Sequence, residues 1–245
     1  MPLPFHPCCM KLAASSAIFL LAACSTDRPA INGKHIPEHT DRNFISQLGK
    51  TDLDRLTDLE VRENTQILQA LMVKLYKRNP NELKKSAMAG PEETAAAVFA
   101  NQHGWRFPEI NEAQGSHAIQ QAFHPDFQGD RVLSLIVGLQ TMLIKAHGGK
   151  TDFYITDSID PQNIFNAARN IEIVVWQLSN KRDSNGQLTL LTNEINDHER
   201  NLSFEREFGK MIGSLDLYAI LLSEKMQRHI TRVVQSIPTA VLLPF

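Results

Sequence analysis

Cysteine is scarce in this chain. Three occur in 245 residues, and all of them, Cys8, Cys9 and Cys24, lie within the first 24. Everything after Cys24 therefore has no internal disulfide, no thiolate metal site and no thiol nucleophile to draw on. Charge of one sign is lacking too. With 25 Lys and Arg against 27 Asp and Glu, the formal charge is −2, which excludes the basic face that nucleic acid demands. No apolar stretch reaches the ~20 residues needed to cross a bilayer as a helix. No series of alternating apolar residues announces a sheet.

A short export-like signal is present. Lys11 precedes an uncharged stretch over 12–21 with Ile18, Phe19, Leu20 and Leu21 at its centre, followed by the small residues Ala22 and Ala23. The order of positive, apolar and small residues is that of a cleaved signal peptide. Leu21-Ala22-Ala23-Cys24 resembles the lipobox of bacterial lipoprotein precursors. That resemblance covers about the first tenth of the chain. It implies cleavage between Ala23 and Cys24, acylation of Cys24, and a membrane partner reached through its acyl chains, since several chains hold where one binds only reversibly. Ser25 follows the cysteine where an Asp favours inner-membrane retention in enteric bacteria. The resemblance thus implies the outer membrane, with the protein facing the periplasm. Residues 1–9 fit an n-region poorly, and Met10-Lys11 is the more natural start.

Cleavage before Cys24 removes 23 of 245 residues and leaves 222, a length for one domain or two small ones. Residues 24–50 hold Pro29, Gly33, Pro37 and Gly49 and read as a lipidated N-terminus and tether. Residues 51–245 read as an all-α domain. Thr51 or Asp52 is a cap, and Leu53, Leu56, Leu59, Ile67, Leu68, Leu71 and Leu75 recur at helical spacing up to Asn79-Pro80. A short helix near 82–89 and another over 91–101 are predicted, then an irregular stretch over 103–115. Asp130 caps an almost wholly apolar helix that ends at Gly148-Gly149. Asp160-Pro161 starts another, although Ile171, Ile173, Val174 and Val175 would also suit a strand. Spacings of three and four from Phe204 to Ile237 predict one long amphipathic helix, or two end to end. An irregular helical bundle is expected, with a helical-repeat solenoid as the alternative.

Few motifs carry chemistry. His35-Ile36-Pro37-Glu38-His39 matches the H-x-x-E-H zinc pattern, but Pro37 breaks the continuous helix the ligands need. Gly148-Gly149-Lys150-Thr151 ends like a phosphate loop, yet its first glycine is missing and a helix precedes it. His103, His117, His124 and His147 with Asp126, Asp152 and Asp157 supply bases and orienters only if the fold brings them together. As cap and turn residues they are equally well placed. Neither a cofactor nor a metal is expected.

Four residues are candidates for partner or ligand contact. Arg169, Asn170 and Trp176 share one helix, and Trp105 sits in the irregular stretch, where it is either an exposed anchor or a plug for the bundle. The expected work is non-catalytic: a membrane-anchored helical domain that binds or scaffolds an envelope protein. The alternatives are an envelope hydrolase built on a His/Asp pair, and a carrier of apolar ligands beside Leu133, Ile136 and Leu139.

Overall fold

Thr51 opens the first helix, α1 (Asp52–Arg78). Its hydroxyl accepts the Asp54 N–H while the Asp54 carboxylate accepts the Thr51 N–H, a reciprocal cap. Asn79 closes α1, and Pro80, lacking an N–H, starts the one-turn α2 (Pro80–Leu83). Gly90-Pro91 begins α3 (Pro91–Phe99). After a turn-rich stretch with a 3-10 turn at Pro108–Ile110 come α4 (Gly115–Ala122) and α5 (Arg131–Ala146). The remaining elements are α6 (Pro161–Asn180), two-residue strands β1 (Glu194–Ile195) and β2 (Arg200–Asn201) paired antiparallel, and α7 (Ser203–Met226). This computed structural model describes residues 50–86, 88, 90–101, 103–154, 158–195, 200–226 and 241–244, all within the unit Asn43–Phe245. The architecture is an all-α irregular bundle. Among the described residues no helix is long and apolar enough to cross a membrane.

The centre of the bundle is α5. Asp130 caps it through the Leu133 N–H, and 13 of its 16 residues are buried, as expected of a helix apolar on nearly all sides. It packs on α4, which sequence reading missed. Gly138 makes that approach feasible: a methyl there would meet Ile119 Cγ1 at 2.7 Å and the Gly115 carbonyl at 3.0 Å. The other main layer is α6 on α7, through Ile164, Ala168 and Ile171 on one side and Phe208, Met211 and Leu215 on the other, all buried. The strand reading of residues 171–175 yields to α6, started by Asp160 and Pro161 as predicted. Gly148 and Gly149 take left-handed φ of +79° and +78°, and their N–H groups bond back to Lys145 and Ile144. That is helix termination, not a phosphate loop.

The inward face of α1 differs from the expected leucine stripe. Leu68, Leu71 and Leu75 are buried, but in the first half Leu56 is 37% exposed and Asp54, Thr57, Glu60 and Asn64 point inward. Buried polar groups need partners: Asp54 finds its own in the Thr51 cap, and the others find theirs on α7 and beside His147. The lipobox, Cys24, the tether over 24–49, the H-x-x-E-H motif, Asp157 and the helical spacing beyond Met226 lie outside the described residues.

Candidate functional site

Two polar constellations emerge, one sealed and one open. The sealed one runs along the inward face of α1. Thr57 Oγ1 shares a short hydrogen bond with the Tyr218 hydroxyl of α7, and the His147 ring stacks on Tyr218 at 5.9 Å, 12° from parallel. His147 Nδ1 donates to the Leu143 carbonyl at 2.8 Å. Its Nε2 sits 2.8 Å from Glu60 Oε2, but off the line of a hydrogen bond, so both atoms stay without a well-aligned partner. Glu60 also accepts from the Asn64 amide, and Ser214 reaches Asn64 at 3.4 Å. Burial holds the Tyr218 phenol far above its ordinary pKa despite the Thr57 hydrogen bond.

Among the described residues, then, His147 is the only one of the four histidines to meet a carboxylate. Its partner is Glu60 rather than any of the aspartates, and the pair is sealed, with side chains 1% and 5% exposed. His117 and His124 are exposed. His124 Nδ1 accepts the Asp126 N–H at 3.3 Å, the local turn bond expected of such a residue.

The open constellation is a cleft of about 560 Å³, within the usual range for ligand sites. The C-terminal end of α1 contributes Tyr76, the segment after α2 Lys85 and Met88, α3 Thr94, Ala97 and Val98, and the turn-rich stretch His103, Arg106, Phe107 and Glu112. Asp130 and Leu133 of the α5 start form the floor. Gly90-Pro91 and the turns around Gly104 and Pro108 keep these walls from merging into one helix, which leaves the gap open.

Asp130 is 2% exposed. It accepts the Tyr76 hydroxyl at 2.7 Å and the Leu133 N–H at 2.9 Å. Burial outweighs these bonds and, with the Glu82 carboxylate nearby, pushes the Asp130 carboxyl up to about 6. The Tyr76 phenol is driven far above its ordinary value by burial and by Asp130. Beneath lies Arg131, whose guanidinium donates to the carbonyls of Ala122, His124, Pro125 and Phe127 and so straps down the segment entering α5. Carbonyl dipoles hold its charge; desolvation lowers its pKa, partly offset by the Glu82 and Asp183 carboxylates.

The rim is wet and charged: Arg106 lies 3.6 Å from Glu112, both well exposed, and His103 stands edge-on to Phe107. Ser86 and Thr94 bond to each other. Among the described residues no serine or threonine hydroxyl of the cleft is hydrogen-bonded to a histidine or carboxylate.

The sequence-derived contact residues fall elsewhere. Trp105 is a plug rather than an exposed anchor: it is 8% exposed, at φ +62°, edge-on to Phe99, and it borders a second opening of about 470 Å³ with Gln114 and Thr141. Arg169 reaches both carboxylate oxygens of Asp216 on α7, at 3.0 and 2.8 Å, pairs with Glu172 at 3.0 Å and covers the Phe165 ring. Asn170 is fully buried and bonds the backbone of Leu243. Trp176 is half-buried on the same helix. Arg169 and Asn170 therefore serve the α6–α7 layer and the C-terminal tail rather than a site shared with Trp105. Of the apolar residues proposed to line a carrier cavity, Leu133 alone borders the cleft, while Ile136 and Leu139 are completely buried in the packed core.

Comparison with protein families, with curated proteins and with solved structures finds no match. The reading of the site rests on the geometry above. Sequence reasoning missed Tyr76, Asp130 as a cleft floor, and Arg106. Asp130 was legible only as a cap, because its second role needs Tyr76, 54 residues away.

Proposed function

We propose that this protein is a lipid-anchored envelope protein, held by acyl chains on Cys24, whose helical domain binds a segment of another envelope protein in the cleft over Asp130. The cleft carries the reading. Its walls are apolar at Met88, Val98, Phe107 and Leu133, and its lip is charged at Lys85, Arg106 and Glu112. Apolar walls with a few polar groups at the edge suit an inserted side chain whose backbone crosses the rim. Both Asp130 oxygens are engaged, one by the helix cap and one by Tyr76, so the floor is built to stay in place.

Two arms test this. Labelled palmitate is incorporated into the wild-type chain and not into Cys24→Ala, which leaves the membrane fraction or persists as precursor. Equal labelling of both would overturn the anchor. For the cleft, Ala97→Trp fills it from an exposed position and abolishes recovery of the partner that wild type crosslinks in cells. Unchanged recovery would overturn the cleft as its seat.

A further inference from the structure

Among the described residues, the outward face of α7 is left uncovered. Leu217, Ile220 and Leu221 are 59%, 46% and 41% exposed. On the same face, Gly209 and Gly213 are exposed, and a methyl at either would meet nothing within 4 Å. Glycine inside a helix costs roughly 1 kcal/mol relative to alanine, and nothing inside the described fold repays it. At ~100° per residue, Arg206, Gly209, Gly213, Leu217, Ile220 and Glu224 all fall within about 40° of one line along the helix. The buried residues Phe208, Met211, Leu215 and Leu222 occupy the opposite side.

The pattern is complementary to itself when reversed. Lay a second α7 antiparallel with the crossing at Leu215, and Gly213 faces Leu217 of the other copy while Gly209 faces Ile220. The same register sets Arg206 against Glu224. Two large side chains of each copy meet a glycine, and Arg206 meets a charge of opposite sign. A parallel pairing would instead set Arg206 against Arg206 and Glu224 against Glu224. Arg206 near the N-terminal end and Glu224 near the C-terminal end also oppose the helix dipole, an arrangement that favours neither residue in an isolated helix. Neither forms an ion pair among the described residues.

We infer that this protein forms a two-fold symmetric homodimer through antiparallel packing of α7, with Leu217 and Ile220 of each copy seated on Gly213 and Gly209 of the other. Isologous contacts of this kind are the commonest route to dimers. The inference is independent of the cleft and extends beyond the proposed function.

Sedimentation of the full-length protein in detergent tests it. Wild type shows a dimer mass, and Gly213→Leu a monomer mass with unchanged circular dichroism. Arg206→Glu and Glu224→Arg each weaken the dimer roughly tenfold, and the two together restore it. Restoration cannot be intramolecular, because the two positions are 18 residues apart, about 27 Å along the helix. If Gly213→Leu fails to fold, the charge exchange alone decides. A wild-type monomer at all concentrations, a dimer indifferent to the single charge reversals, or no restoration by the double exchange would each overturn the inference.

Discussion

Asn170 grips Leu243 with both ends of its amide. Nδ2 donates to the Leu243 carbonyl at 3.0 Å and Oδ1 accepts the Leu243 N–H at 2.5 Å, so a side chain in the middle of α6 imitates a paired strand. Asn166, one turn earlier, donates to the Pro244 carbonyl at 2.9 Å. Asn170→Ala removes both bonds at a site without water to replace them, a loss of about 1–3 kcal/mol. The C-terminus should then be trimmed by carboxypeptidase several-fold faster than in wild type. Equal trimming would show that Asn170 does not hold the tail.

The Glu60–His147 pair should be intolerant of removing one partner. His147→Leu leaves Glu60 buried beside an apolar group, and loss of one member of a buried pair costs about 3–5 kcal/mol. The double variant Glu60→Leu, His147→Leu should recover part of that loss, because neither member of the pair is then left facing an apolar group. Urea unfolding of the single and double variants checks this. Strictly additive losses would mean that the two side chains do not sense each other.

Asp130 gives the fold a pH dependence of defined sign. Its folded pKa of about 6 lies above the ordinary aspartate value of about 3.9, so the folded state binds the proton more tightly. Its contribution is most favourable below about pH 4 and is lost as pH rises through 6, a change of about 3 kcal/mol. Asp130→Asn keeps a helix-capping residue and removes the titration. Unfolding free energies compared between pH 4 and 7 should fall with pH more steeply in wild type than in the variant. Parallel slopes would refute the raised value.

At concentrations where the chain is monomeric, Gly209→Ala and Gly213→Ala should each stabilise the fold by about 0.5–1 kcal/mol, because within one chain the added methyl meets nothing and the unfolded chain loses freedom. The expected rise in Tm is about 2–3 °C each. A lowered Tm would reveal a close neighbour on that face.

Helix boundaries were legible because they are written locally. Thr51, Asp130, Asp160-Pro161 and Gly148-Gly149 cap or stop their helices with groups two to five residues away. The faces were less legible. Leu53, Leu56 and Leu59 suggested an apolar inward stripe, yet Thr57 and Glu60 turn inward because Tyr218 and His147 are there to receive them. Those partners come from 161 residues away for Tyr218 and from the α5–α6 connection for His147, and no local pattern signals either. The α4 helix was missed for a related reason: Gln114 makes no side-chain cap, and the buried face is only Ala118, Ile119 and Ala122, so Gly138 across the interface defines its place. The cleft was invisible for the same reason, since its floor and its walls come from five separate stretches of chain.

The central claim is a protein-binding cleft on a lipid-anchored domain, and site-specific photo-crosslinking in cells tests it most directly. A photoreactive residue is placed at Met88, on the exposed lip of the cleft, and separately at Leu56, exposed on α1. The account predicts one envelope protein captured at Met88, not captured at Leu56, and lost when Ala97→Trp or Cys24→Ala is combined with Met88. No adduct at Met88, or the same adduct from both positions, would contradict it.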